Sequence, residues 1–224
     1  MGRIHAVSRL SAIPTSPPVT AAAIGLLLGV LTRAGQSVLA GGWLILVNSG
    51  ALWATCAFLS SALIVPGPHP RPRLASHTGT AVLVGLMAGY YAAAGVLGVL
   101  HAPATILVWI LAAAVAGPVF GIAGSSWLAP AARTRQVAIA LLASVLVAEG
   151  VHGLLWIDRS GPVWWALLVG GLLAPPVMHR SWWPPLRTYA LLLGMVPVLG
   201  FGYWLIDVAV AGDILSSAGT PRGR

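Results

Sequence analysis

The chain has 224 residues, 58% of them hydrophobic and 7% charged, with a mean hydropathy of +0.91, against about 25% charged in soluble domains; a soluble globular domain is excluded and a multi-pass membrane protein expected. Its net charge of +8 rests on twelve basic residues, all arginine, that form no stripe or patch, which argues against a nucleic-acid surface. One cysteine, Cys56, excludes intramolecular disulfides, iron-sulfur ligation and a structural zinc site, and no metal or other cofactor is expected.

A bilayer core of roughly 30 Å takes about 20 helical residues. Apolar runs bounded by Pro, Gly and Arg clusters predict seven spans, at 18–37, 43–65, 78–100, 104–127, 135–157, 162–178 and 186–211, or six if the first or sixth is discounted. The expected fold class is all-α: a single polytopic helical bundle over 18–211, between an N-terminal tail 1–17 and a polar C-terminal tail 212–224.

In the first span Gly25 and Gly29 lie one turn apart, as do Gly85 and Gly89 in the third and Gly117 and Gly121 in the fourth; such pairs let another backbone approach closely, within the bundle or at a dimer interface. Arg3 and Arg9 ahead of AAAIGLLLGVL, with Val38 and Ala40 beyond, resemble a signal peptide, but Arg33 between the apolar run and that site argues against cleavage. The linker PGPHPRPRLASH, 66–77, reads as a loop in which the prolines forbid a helix. Pro118 and Pro197 fall inside spans, each as a static kink or, at Pro197 beside Gly194, Gly200 and Gly202, as a hinge.

Arginines set the expected orientation. Arg3, Arg9, Arg71, Arg73, Arg133, Arg135, Arg180 and Arg187 fall on alternate segments, against Arg33, Arg159, Arg222 and Arg224, which puts the N-terminus in the cytoplasm and the C-terminus outside the plasma membrane. Trp127, Trp182 and Trp183 then lie at inner ends, and Trp43, Trp109, Trp156, Trp164 and Trp165 at outer ends, where amphipathic rings sit at headgroup depth.

Within the fifth span the stretch LLASVLVAEGVHGLLW, 141–156, holds Glu149, one of four acidic residues with Asp158, Asp207 and Asp213. An acid at the bilayer centre costs about 2.5 to 3.5 kcal/mol on insertion scales. His152 follows on the same helix face, and a protonated His152 or a snorkelling Arg33 is the available cationic partner. Desolvation then favours a carboxyl that can donate as well as accept a proton.

The other polar residues expected at this depth are Asn48, Tyr90, Tyr91, Tyr203, Trp204 and Asp207, all in the outer half. Together with Trp53 they suggest an outward-opening cavity, in which Trp53, Tyr90, Tyr91, Tyr203 and Trp204 hold an organic or lipid ligand and Asn48, Glu149, His152 and Asp207 fix its polar groups. The plainer reading makes Glu149 a bundle lock, hydrogen-bonded to a carbonyl or to Asn48, and His152 a packing residue.

The stretches NSGALW (48–53), GYY (89–91), GPVFG (117–121) and AEG (148–150) resemble an uncharacterised family of small multi-pass membrane proteins, mostly actinobacterial, that is classed as a domain of unknown function. The resemblance implies a membrane bundle over about 20–200 and no assigned chemistry. In architecture alone the chain is also similar to the substrate-capture subunits of energy-coupling-factor vitamin transporters, though those usually have six spans.

Three functions compete: a small-molecule binding or transport subunit, in which Glu149→Gln weakens the ligand and spares the fold; an intramembrane enzyme acting on an isoprenoid or other lipid, with Glu149 or Asp207 as general acid; and a non-catalytic partner or assembly subunit, within a complex or a homo-oligomer. Membrane-bound terpene cyclases are similar to the second in span count and in an acid on the last span, but no acid stands beside Trp53 to match theirs on the second. Glycine-rich phosphate loops, paired His ligands and a nucleophile elbow are missing, so the balance leans away from an enzyme.

Overall fold

The computed structural model describes residues 16–66, 71–159, 161–179 and 185–218, with 211–218 described by backbone alone. Most of the predicted N-terminal tail, Arg180, Trp182, Trp183, Arg222 and Arg224 lie outside the described residues. The described residues are mostly helical, without strands: α1 Pro17–Val38, a 3₁₀ segment Gly41–Asn48, α2 Gly50–Ile64, α3 Pro72–Val96, α4 Pro103–Trp127, α5 Ala132–His152 followed by a π turn Gly153–Ile157, α6 Pro162–His179 and α7 Leu186–Ala218.

Six helices are long and apolar enough to cross a membrane, and the 3₁₀ segment with α2, bent by 47° at their junction, brings the number to seven if the bent pair is counted as one span. α1, α3, α4 and α6 each begin at a proline. At the first helical position proline has its φ already set and the N–H it lacks has no intrahelical partner anyway. That corrects the reading of 66–77 as a loop: Pro72 starts α3 instead of forbidding it, and the third span moves to 72–96. α7 likewise continues past 211 into the predicted tail, with its membrane-length portion at Leu186–Val210.

Glycines fix which helices meet. A Cβ built on Gly25 or Gly29 of α1 would strike the carbonyls of Val82 or Leu86, and one on Gly85 or Gly89 of α3 would strike those of Ala22 or Leu26. The two helices therefore run parallel with backbones in mutual contact, and both predicted pairs serve packing within the bundle. Gly79, Gly117 and Gly121 do the same for antiparallel α3 and α4, and Gly124 sets α4 against Phe58 of α2.

α5 is the central helix. Gly150 meets the backbone of α6 at Trp164 and Leu168, and Gly171 of α6 meets Ala143 and Val147 in return. Gly153 leaves room for the indole of Trp164, which is 3% exposed. Trp164 is therefore a core residue and not the interfacial ring expected of it, whereas Trp43, Trp156 and Trp165 remain exposed. The side-chain pairs from Glu149 to Tyr203 and from His152 to Asp207 show that α5 and α7 run parallel.

Candidate functional site

The second span does not run as one α-helix. Ser49 has φ −71° and ψ 119°, an extended conformation that ends the 3₁₀ segment and serves as N-cap of α2, its hydroxyl accepting from the Leu52 N–H at 3.1 Å. Helix initiation leaves further N–H groups without intrahelical acceptors, and inside a membrane water is not there to take them. Glu149 supplies the acceptor from a different helix: its Oε2 takes the Ala51 N–H at 2.5 Å and the Tyr203 hydroxyl at 2.7 Å.

The carboxyl thus sits at the positive end of the α2 dipole, where negative charge is favoured, and one oxygen joins α2, α5 and α7. Glu149 is 6% exposed and Ser49 1%. The bundle-locking role read from the sequence has a specific form here: the partner is a backbone N–H of α2, not a carbonyl or Asn48.

Beside this joint lies a cavity of about 300 Å³ enclosed by α2, α3, α4, α5 and α7. Trp53, Met87, Trp109, Phe120 and Tyr203 are its largest side chains, and alanines, glycines and aliphatic residues supply the rest. Trp53 and Trp109 pack with ring centroids 5.4 Å apart. Val115 and Val119 also line it while being 69% and 43% exposed; the mouth therefore opens sideways, at the level of the hydrocarbon, past α4.

A second cavity, of about 290 Å³, lies on the opposite face of α7 against the end of α5. Ala148, Val151, His152, Trp156, Val196, Pro197, Gly200, Phe201 and Trp204 form its wall. His152 Nε2 is 2.7 Å from Asp207 Oδ2, and the ring stacks on Trp156 at 5.2 Å and on Tyr203 at 5.8 Å.

Polar residues cluster again where α1, the 3₁₀ segment and α3 meet. The Gln36 amide donates to Asn48 Oδ1 at 2.8 Å and to the Tyr90 hydroxyl at 3.2 Å. His101 lies 3.5 Å from that hydroxyl and packs edge-on against Tyr91, with centroids 5.1 Å apart. Trp53 connects this cluster to the first cavity, its ring 6.3 Å from that of Tyr90.

The nine residues singled out from the sequence are therefore divided among neighbouring places instead of sharing one polar chamber. Trp53 and Tyr203 line the first cavity; His152 and Trp204 line the second, with Asp207 bonded to His152; Glu149 joins helices behind Tyr203; and Asn48, Tyr90 and Tyr91 belong to the cluster around Gln36. Sequence reasoning missed Gln36, Trp109 and His101. Gln36 carried a usable signal, an amide in the last turn of an apolar span, whereas His101 falls between the predicted spans 78–100 and 104–127 and Trp109 reads as an interfacial ring.

Comparison with known proteins gives a match to the model of a family described as "Family of unknown function (DUF6518)", over residues 9–212. No curated protein and no solved structure matches.

Proposed function

The chain belongs to that family of unknown function, so its activity has to be argued from the site, and we propose that this multi-pass membrane protein binds a ligand with a hydrocarbon chain, a lipid or isoprenoid, in the cavity between α2, α3, α4, α5 and α7. The observation that carries the reading is the cavity itself: about 300 Å³, walled almost entirely by carbon. Its size is at the lower end for small-molecule pockets. Apolar cavities stay dry, and a sideways mouth at hydrocarbon depth admits acyl or prenyl chains directly from the bilayer. The tryptophans at its upper end lead toward the Gln36 and Asn48 cluster, which suits a polar head. In this reading the protein sits in the plasma membrane with its N-terminus inside, and Glu149 builds the pocket without touching the ligand.

Filling the cavity tests this. Ala113 lines it and is buried, and Ala113→Trp is expected to raise the melting temperature slightly while abolishing a lipid or isoprenoid adduct seen by native mass spectrometry of the wild type. Equal occupancy in both proteins, or no adduct in either across lipid and isoprenoid additions, would overturn the reading.

The enzyme alternative keeps one foothold, the Tyr203 hydroxyl at the cavity wall backed by Glu149 at 2.7 Å. Turnover of polyprenyl diphosphates or cyclisable terpenes by the purified protein, lost in Tyr203→Phe, would favour it over simple binding.

A further inference from the structure

The second cavity differs in chemistry from the first. Three of its walls are aromatic faces: Trp156, stacked on His152, and Phe201 with Trp204, whose centroids lie 5.5 Å apart at 23°. The fourth is the buried imidazole of His152, 4% exposed, whose Nε2 lies 2.7 Å from Asp207 Oδ2.

Asp207, its side chain 57% exposed, adds a carboxylate beside the same cavity, and its ion-pair contact among the described residues is with that imidazole. Trp204 lies one turn before Asp207 on α7, so aromatic face and carboxylate are presented together.

Aromatic faces attract cations through the ring quadrupole, tryptophan most strongly, and the exposed carboxylate supplies the opposite charge. We propose that this cavity is a binding site for an organic ammonium group. Asp207 is its counter-ion, and Trp156, Phe201 and Trp204 are its cage. The ammonium comes either from a free amine or from an aminoethyl lipid headgroup, since the cavity lies at the end of the bundle where α5 and the span-length part of α7 finish. The site is separate from the hydrocarbon cavity, on the other face of α7, and stands whether or not that cavity holds a lipid.

The full-length protein in phosphatidylglycerol nanodiscs, titrated with ethanolammonium chloride and followed by tryptophan fluorescence, tests the site for a free amine. Discs containing increasing phosphatidylethanolamine, read by lipid retention in native mass spectrometry, test it for a headgroup. Saturable binding in either arm, weakened at least tenfold by Asp207→Asn and by Trp204→Leu, is the expected result; the arm that responds identifies the source. Trp204 is 45% exposed and the Asp207 side chain 57%, and unchanged melting temperatures confirm folding; should Trp204→Leu misfold, Phe201→Leu replaces it.

No saturable binding in either arm, or binding by both variants equal to that of the wild type, would overturn the proposal.

Discussion

Glu149→Leu is expected to destabilise the protein by roughly 2 to 6 kcal/mol, because it leaves two buried donors, the Ala51 N–H and the Tyr203 hydroxyl, without an acceptor at about 1–3 kcal/mol each. Glu149→Gln keeps a carbonyl oxygen of the same shape that can still accept from both donors, and gives up only what the more polar carboxyl adds at the α2 N-terminus. Thermal unfolding in detergent should therefore rank wild type above the glutamine variant and that well above the leucine variant. Tyr203→Phe, which removes one donor along with its bond, should fall close to the glutamine variant. A leucine variant that melts with the wild type but has lost its lipid adduct would reverse the assignment and make Glu149 a ligand-contacting residue.

The second large effect is expected at the contact of α1 with α3. Valine at Gly25 and Gly29 together would drive branched side chains into the backbone carbonyls of Val82 and Leu86, and main chain cannot swing aside as a flexible side chain does. Overpacking in a core costs about 1–3 kcal/mol per site, occasionally more. With two sites on one face the relief available is separation of the helices. Cysteine pairs placed across α1 and α3 should crosslink efficiently in the wild type and fail to do so in the double variant. Gly194→Ala is the control: nothing lies within 4 Å of the added methyl, and stability should hold or rise slightly with the gain in helix propensity. Efficient crosslinking in the Gly25→Val, Gly29→Val protein would show that the close approach of the two backbones is not required.

Much of this architecture was legible in the residues because membrane spanning is a crude requirement that hydropathy records directly. The glycine pairs were legible too, since four-residue spacing on a helix means one face whatever the partner. What the pattern could not carry was anything set by a second element. The break at Ser49 leaves no mark in hydropathy, because Gly41–Asn48 and Gly50–Ile64 are equally apolar. The fate of Trp164 depended on Gly153 and Gly150 across the helix pair, and no periodicity within α6 reports that. Glu149 stood out as a misplaced acid, yet its reason is an orphan N–H on a segment distant in sequence. Depth estimates placed Asn48, Glu149 and Asp207 at similar heights, and height alone could not tell that α7 stands between the two cavities.

That distance in sequence bears on how the protein is made. Ala51 and Glu149 are 98 residues apart, and at about 5–20 residues per second of synthesis the second span waits roughly 5 to 20 seconds between its own emergence from the ribosome and that of the carboxyl that completes it. During that interval the start of α2 is short of an acceptor in a medium that offers none. A nascent chain at this stage is a natural client for the insertion machinery, which can hold the segment in an aqueous channel until α5 arrives. Ribosome-stalled chains ending before and after residue 149 would report the difference, as a second span that is extractable or protease-sensitive in the first and locked in the second.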